Sequence, residues 1–217
     1  MKKKIRIKLC GFTRKADVLH AVNLGADAIG LVFYPASKRF VDCGKANELL
    51  SVLPSYVPCV GLFVNADFKF VIKVLEKVEL TMLQFHGDED FQYCQKLINI
   101  VEKPFLKAVR IKPETTSESL LELENTFKKL KPFFSGLLFD SWTDEFGGSG
   151  KTFDWKIIPK DLAARNFLSG GLTHLNVTDV VKYLKPFAVD VSSGIEIRKG
   201  LKDKFLIDKF ISSVKLF

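Results

Sequence analysis

The stretch Ala28-Ile29-Gly30-Leu31-Val32-Phe33 is apolar at every position and shows no alternation of polar and apolar residues. A strand with this pattern is buried on both faces, which is typical of a parallel sheet covered by helices. Further along the chain, the segment Asp42–Val52 has charged side chains at helical intervals and is predicted to be an amphipathic helix. This strand and this helix are the unit from which the fold can be predicted.

The same unit recurs along the chain at fairly even spacing, and no Pro/Ser-rich linker divides the series. The predicted strands are Ile5–Leu9, Ala28–Phe33, Cys59–Val64, Met82–Phe85, Phe105–Val109, Gly136–Phe139, Asn166–Leu168 and Ala188–Val191. The predicted helices are Arg14–Leu24, Asp42–Val52, Asp67–Val78, Asp88–Ile98, Ser117–Lys131, Asn176–Leu184 and Lys202–Val214, with a weaker, short connection around Asp154–Ile158. Eight such units predict an α/β fold of one domain, residues 1–217, in which eight parallel strands close into a (β/α)8 TIM barrel.

A doubly wound open sheet is the alternative fold for alternating strands and helices. That fold would be expected to carry a glycine-rich fingerprint after its first strand, whereas Gly11 stands alone there. The barrel is therefore favoured. At 217 residues the chain is shorter than the roughly 250 residues typical of such barrels, so its loops are predicted to be short.

The composition favours an acidic binding partner but does not identify its chemical class. The chain has 33 Lys and Arg against 25 Asp and Glu, which gives a net charge of +8. Such a surplus attracts phosphates, carboxylates, nucleic acid or acidic membranes. The lysines are spread along the predicted helices and the termini and do not form one basic stripe interleaved with aromatic residues, which argues against a nucleic-acid-binding protein.

Cysteine spacing and the N-terminal residues indicate the compartment. No CxxC spacing occurs, which predicts neither a zinc site nor a disulfide framework. Arg6 and Lys8 interrupt the apolar run that a secretory signal would need, and no segment approaches the roughly 18 consecutive apolar residues of a membrane-spanning helix. We therefore expect a cytoplasmic protein with reduced cysteines and no membrane partner. The cysteines are Cys10, Cys43, Cys59 and Cys94.

Polar residues and glycines follow the predicted strands in turn. In a barrel of this kind the active site lies at the carboxyl ends of the strands, so these positions are the candidates for chemistry. In strand order they are Cys10, Arg39, Asn65, His86, Arg110, Asp140, Gly170-Gly171 and Ser193-Gly194.

Two of these positions, Gly170-Gly171 and Ser193-Gly194, predict phosphate binding. Glycine lets the backbone approach an anion closely, and loops that lead into helices offer aligned N–H groups. Either loop alone would predict only a tight turn, but together they match the usual phosphate position after strands seven and eight of a barrel. A third glycine loop, at residues 146–152, lacks P-loop spacing because position 145 is Glu, so nucleotide hydrolysis is not predicted.

Cys10 and Asp140 are the candidate proton-transfer groups. Cys10 ends a strand just before Gly11, where loop amides are expected to stabilise a thiolate, although a lone cysteine is more often apolar filler. Asp140 ends an apolar strand and is expected to project into the barrel mouth as an acid, with helix capping or a salt bridge as the alternative role. His86 is a candidate catalytic residue, and the alternative is a histidine whose ring nitrogens are hydrogen-bonded to loop groups. No histidine lies at metal-binding spacing from another ligand.

With these residues collected, the chain resembles phosphoribosylanthranilate isomerase from Lys8 to about Asp203. Phe85, where the family usually has Leu, is among several mild departures that remove no chemical group. The stretches that carry the resemblance, in the family's order, are Lys8-Leu9-Cys10-Gly11-Phe12-Thr13, Gly30-Leu31-Val32-Phe33-Tyr34-Pro35-Ala36-Ser37-Lys38-Arg39, Val60-Gly61-Leu62-Phe63-Val64-Asn65, Gln84-Phe85-His86-Gly87-Asp88-Glu89, Leu138-Phe139-Asp140, Gly147-Gly148-Ser149-Gly150-Lys151-Thr152-Phe153-Asp154-Trp155, Ser169-Gly170-Gly171-Leu172 with Asn176-Val177, and Asp190-Val191-Ser192-Ser193-Gly194-Ile195-Glu196.

The resemblance implies an Amadori rearrangement of a phosphorylated sugar amine in tryptophan biosynthesis, with no metal and no organic cofactor. It implies Cys10 as the general base and Asp140 as the general acid. Arg39 would bind the anthranilate carboxylate, which needs a planar cationic partner. The remaining site residues would bind substrate (His86 and Asp190) or its phosphate (Gly170, Gly171, Ser193 and Gly194). The expected partner is a small phosphorylated substrate, and a homodimer is compatible with the resemblance.

The enzyme alternative is a related phosphate-binding barrel, the aminoaldose isomerase of histidine biosynthesis, which performs the same reaction on a larger substrate with two phosphates. That family resembles a duplicated half-barrel and relies on paired carboxylates. This chain has Cys10 in the first-strand position and shows no evident halves. The sequence therefore favours the tryptophan-pathway enzyme.

Overall fold

All eight predicted strands are present and close into one parallel barrel, as the sequence predicted. The computed structural model describes residues 4–142 and 152–216. Each strand pairs with the next, and β8 pairs with β1 to close the ring. The strands are β1 (Arg6–Cys10), β2 (Ala28–Val32), β3 (Cys59–Phe63), β4 (Met82–Phe85), β5 (Phe105–Ile111), β6 (Phe134–Ser141), β7 (Phe167–Leu168) and β8 (Ala188–Val191).

Helices follow the strands and cover the outside of the barrel. Several begin at an Asp or Thr whose side chain accepts a hydrogen bond from a backbone N–H of the first turn, as Asp42, Asp67, Asp90 and Thr116 do. The cap at Asp90 places the start of α4 later than the predicted Asp88. The helices are α1 (Lys15–Asn23), α2 (Cys43–Leu50), α3 (Phe68–Leu75), α4 (Phe91–Val101), α5 (Ser117–Lys128), α6 (Lys160–Ala163), α7 (Val177–Leu184) and α8 (Lys204–Lys215).

Two regions differ from the predicted elements. The weak connection between β6 and β7 contains a 3-10 turn, Trp155–Ile157, followed by the four-residue helix α6. After β8 the chain forms a two-stranded antiparallel hairpin that the sequence did not predict, made of β9 (Glu196–Arg198) and β10 (Leu201–Lys202). Strands this short give no periodic pattern, so they cannot be read from alternation alone.

The main apolar core lies between the barrel and its helices. Aromatic rings pack against one another through this layer, as Phe85 does with Phe105 and Phe105 with Phe134, with ring centroids 5.5 Å and 5.7 Å apart. A smaller apolar cluster, formed by Cys10, Val32, Leu62 and Val64, lies near the carboxyl ends of β1 to β3. None of the helices in the described part of the chain has the length and apolar composition needed to cross a membrane.

Candidate active site

A pocket opens at the carboxyl ends of the barrel strands, where the candidate residues were expected. Its volume is about 690 Å³ including the open mouth, which is the size of sites that hold small molecules. Gly194 adjoins the pocket through the neighbouring Ser193. The candidate residues that line it are Cys10, Arg39, His86, Asp140, Gly170, Gly171, Asp190 and Ser193.

Two other strand-end residues, Asn65 and Arg110, lie outside this pocket lining. Asn65 Nδ2 donates to Asp88 Oδ2 at 3.2 Å, and Arg110 Nη2 also pairs with Asp88. The guanidinium of Arg110 lies over the ring of Trp142, 4.7 Å from its centroid. These side chains therefore form a separate surface group beside the pocket.

Cys10 is the last residue of β1, and its side chain is 3% exposed. Gly30 is its register partner on β2, and a Cβ at position 30 would lie 2.5 Å from the Cys10 Sγ. The glycine therefore creates the space that the thiol occupies. The thiol faces a pocket wall that also includes Val32, Leu62 and Val64.

The expectation that loop amides lower the pKa of Cys10 is wrong. Burial raises the pKa of this thiol above its usual value, and the Lys8 ammonium only partly opposes that effect. The nearest loop amides are occupied, because Gly11 N–H and Phe12 N–H both donate to the Gly30 carbonyl, at 2.8 Å and 3.4 Å. In this protein a cation, and not the backbone, is what favours the thiolate.

Asp140 lies near the end of β6 and is linked to His86, the residue that follows β4. His86 Nε2 is 2.8 Å from Asp140 Oδ2, and Gln84 Nε2 is 2.7 Å from His86 Nδ1. The other carboxylate oxygen, Asp140 Oδ1, accepts the Ser141 N–H at 2.9 Å. The side-chain partners of His86 are thus Gln84 and Asp140, and not the loop groups considered from the sequence. His86 and Asp140 present one hydrogen-bonded surface to the pocket.

Arg39 is buried and bound on one edge by Glu196 of the unpredicted hairpin. Arg39 Nε and Nη2 each donate to a Glu196 oxygen at 2.8 Å, and Lys202 Nζ is 2.8 Å from Glu196 Oε1. Burial opposes ionisation of Glu196, but the hydrogen bonds from Arg39 and the neighbouring Lys202 hold its pKa below the usual value. No role was predicted for Glu196 or Lys202, because their hairpin has no sequence pattern of its own.

Asp190 of β8 forms a buried ion pair with Lys8 of β1. The two residues are register partners across the seam that closes the barrel, and Lys8 Nζ lies 2.9 Å from Asp190 Oδ1. Their side chains are 1% and 5% exposed. Asp190 lines the pocket as a paired carboxylate.

The two glycine loops contact each other at the pocket edge. Gly170 and Gly171 have φ of +85° and +63°, a conformation that favours glycine. The Asn176 side chain holds this loop, since Nδ2 donates to the Gly171 carbonyl and Oδ1 accepts the Thr173 N–H. Within residues 4–142 and 152–216, the N–H groups of Gly170 and Gly171 donate no hydrogen bond to protein, so they offer donors to an anion.

Gly194 also has a packing role that the sequence did not predict. A Cβ there would collide with the Leu172 carbonyl, so glycine allows the loops after β7 and β8 to pack together. Most of the third glycine loop, residues 146–151, lies outside the described residues. In the described part of the chain, no group of three His, Cys, Asp or Glu side chains has the arrangement of a metal site.

Comparisons with known proteins agree on one family. The family model of N-(5'phosphoribosyl)anthranilate (PRA) isomerase matches residues 7–213. A relative from Herminiimonas arsenicoxydans, N-(5'-phosphoribosyl)anthranilate isomerase, is 46% identical over 97% of this chain and 93% of its own length. The phosphoribosyl anthranilate isomerase structure from Thermotoga maritima has a TM-score of 0.84 at 38% identity, covering 98% of this chain and 100% of that one.

A second solved structure of this kind holds a ligand. It is a phosphoribosyl anthranilate isomerase in complex with reduced 1-(o-carboxyphenylamino)-1-deoxyribulose 5-phosphate, with a TM-score of 0.82 and 34% identity. The likeness covers 98% of this chain and 100% of that chain.

Proposed function

The chain belongs to the N-(5'-phosphoribosyl)anthranilate isomerase family, and we propose that it carries out this isomerisation with Cys10 as base and Asp140 as acid. The enzyme acts in tryptophan biosynthesis and converts the aldose amine N-(5'-phosphoribosyl)anthranilate into the ketose 1-(o-carboxyphenylamino)-1-deoxyribulose 5-phosphate. The observation that carries the residue assignment is that β1 and β6, which are not neighbours in the barrel, present Cys10 and Asp140 to one pocket.

The first step is opening of the ribose ring. Protonated Asp140 donates to the ring oxygen O4′ as the bond from O4′ to C1′ breaks, and the anilino nitrogen forms a C1′ iminium. The Asp140 carboxylate left behind is held by the Ser141 N–H and lies beside His86. This placement stabilises the acid after it has given up its proton.

The second step is removal of the C2′ proton. The iminium makes this proton acidic, and the Cys10 thiolate takes it to give an enolamine. Loss of the proton from the C2′ hydroxyl and protonation of C1′ then give the ketose. Two protons are taken up, at O4′ and C1′, and two are released, from C2′ and its hydroxyl, so the rearrangement is balanced.

Substrate binding divides between the two sides of the pocket. The Arg39 guanidinium, fixed on one edge by Glu196, meets the anthranilate carboxylate with its remaining donors. Gly170, Gly171, Ser193 and Gly194 belong to the loops that hold the phosphate. Support for this comes from the unused N–H groups of Gly170 and Gly171 in the described part of the chain. His86 and Asp190 complete the substrate-binding wall.

We further infer one domain over residues 1–217, a homodimer and a cytoplasmic location. One structurally similar protein consists of monomers generated from the dimeric phosphoribosylanthranilate isomerase of Thermotoga maritima. All four cysteines are free, which fits a reducing compartment. Sedimentation analysis of the purified protein tests the dimer, and a single-subunit mass at micromolar concentration would contradict it.

The experiment that tests the proposed roles is a pair of substitutions read in a fluorescence assay that follows loss of phosphoribosylanthranilate. Cys10→Ser keeps the size of the side chain but is a poor base, and Asp140→Asn keeps the shape but has no acidic proton. Each should lower kcat by about 100-fold to 10,000-fold while KM changes comparatively little.

The matched controls are the other thiols. Cys43→Ser, Cys59→Ser and Cys94→Ser should leave kcat near that of the wild type, because none of these residues lines the pocket. If Cys10→Ser keeps more than about a tenth of wild-type kcat, Cys10 is not the base.

A further inference from the structure

Lys8 is a buried cation to which the proposed mechanism gives no task. It lies on β1 and is 1% exposed, and such complete burial of an ammonium is rare unless it is paired. Its ion-pair partner is the Asp190 carboxylate, 2.9 Å away across the seam between β1 and β8. A buried ion pair is weak evidence for stability, since desolvation offsets the attraction between the charges. A role in the site is the better explanation for keeping it.

The position of Lys8 relative to Cys10 suggests that role. The two residues are two apart on one strand, so their side chains project from the same face of β1. The positive charge of the Lys8 ammonium acts on the Cys10 sulfur and favours its thiolate. An ammonium has three donors, so it can bind Asp190 and the sulfur together.

Four other ionisable groups act on the Cys10 sulfur besides Lys8. Lys202 favours the thiolate and Asp190 disfavours it, each more weakly than Lys8 acts. Arg39 and Cys59 also interact with the thiolate charge. Arg39 and Lys202 share the Glu196 carboxylate at 2.8 Å, whereas Lys8 lies on the same strand as Cys10 and has the strongest charge effect on its thiol.

We propose that Lys8 is the positioning residue of the base: it supplies the cation against which the Cys10 thiolate forms, and Asp190 holds it beneath the pocket. This proposal rests on the proposed function only in taking Cys10 as the base. Asp190 acts in two directions, because it keeps Lys8 protonated and in place while its own charge opposes the thiolate. The pair therefore sets the pH at which the base becomes available.

The test is a direct titration of the Cys10 thiolate in Lys8→Met. The ultraviolet absorbance of the thiolate is followed against pH, and the same titration of a matched variant that also carries Cys10→Ser is subtracted. Without the Lys8 charge, the Cys10 thiolate should appear about one pH unit or more above its wild-type position. The low-pH limb of the kcat profile should move by the same amount.

A second variant covers the case in which Lys8→Met does not fold, since that change leaves Asp190 buried without its partner. The double variant Lys8→Met/Asp190→Asn removes both charges. Its thiolate should still form at higher pH than in the wild type, because Lys8 acts on Cys10 more strongly than Asp190 does. This pH shift should be smaller than the shift in the single variant.

The control is Lys107→Met, which removes another buried lysine, bound to the Gly87 carbonyl and to Glu89. It should leave the Cys10 titration unchanged. Folded Lys8 variants whose Cys10 titrates as in the wild type would overturn the proposal. A thiolate that moves while the kcat profile stays fixed would instead remove Cys10 as the base and leave the coupling between Lys8 and Cys10 intact.

Discussion

At the scale of single residues, the site depends on spaces left for particular atoms as much as on reactive groups. Gly30 has no chemistry of its own, yet only the absence of its Cβ allows the Cys10 sulfur to sit where it does. Gly194 likewise allows two loops to touch. A glycine in a strand interior often marks such a close approach.

Gly30→Ala should therefore act as an active-site substitution. The new Cβ would lie 2.5 Å from Cys10 Sγ, so the thiol must move. Misplacing a catalytic group by about 1 Å can cost on the order of 100-fold in rate, and we expect kcat to fall by at least about 10-fold. Steady-state kinetics measure this. Gly44→Ala is the control, because an alanine on exposed α2 meets nothing closer than 3.4 Å.

Arg39→Lys should not behave as a conservative change. A lysine ammonium cannot hold Glu196 through two parallel bonds and meet the anthranilate carboxylate as well. We expect KM to rise by about 10-fold or more. Steady-state kinetics measure KM, and a thermal unfolding curve shows that the variant is folded. An unchanged KM would mean that the anthranilate carboxylate binds elsewhere.

At the scale of elements, a buried polar network ties helix α5 to strands β6 and β7. Glu124 of α5 is 2% exposed, accepts hydrogen bonds from Arg165, Lys128 and Asn166, and has a pKa of about 2. Burial alone would raise that pKa, but the two cations and the amide outweigh it. Asn166 Oδ1 in turn accepts the Leu137 N–H at 2.7 Å. One carboxylate therefore sets the position of three elements.

Glu124→Gln should lower stability in a pH-dependent way. Because the folded pKa of Glu124 lies below its unfolded value of 4.5, its stabilisation is complete above about pH 4.5 and is lost as the pH falls towards 2. Arg165 and Lys128 are 39% and 40% exposed, so solvent screens part of the effect. We expect a loss on the order of 2 kcal/mol at neutral pH.

Urea unfolding of the wild type and the variant at neutral pH and near pH 3 measures this difference. The gap between the two proteins should narrow in acid, because near pH 3 Glu124 is largely protonated in the unfolded wild type and must lose that proton on folding. Glu122→Gln, on the exposed side of the same helix, is the control. An equal gap at both pH values would mean that the charge of Glu124 does not contribute.

At the scale of the whole molecule, the pH dependence of the reaction combines groups from opposite parts of the barrel. Thiolate formation at Cys10 requires loss of a proton, and burial raises the pKa of this thiol, so kcat should still be rising with pH at neutrality. Lys8 of β1, Asp190 of β8 and Lys202 of β10 all act on this thiol, so the apparent value belongs to these coupled groups together.

A pH profile of kcat measured for the wild type and for Asp140→Asn checks this assignment. The substitution should keep the rising limb, at a much lower rate, because the Cys10 thiol is unchanged. A profile that no longer rises with pH in Asp140→Asn would mean that Cys10 does not set this limb. Thermal unfolding at each pH shows whether the protein stays folded over the range.

The sequence by itself determined the barrel, its eight strands and the strand-end positions of Cys10, Asp140 and the two glycine loops. These features depend on local apolar periodicity and on the rule that barrel sites lie at the carboxyl ends of strands. Tertiary structure alone decided which charges pair. Lys8 meets Asp190 across 182 residues, and Arg39 meets Glu196 across 157. Those partners are brought together only when β8 closes against β1 and the short hairpin packs against Arg39, and no local pattern encodes that closure.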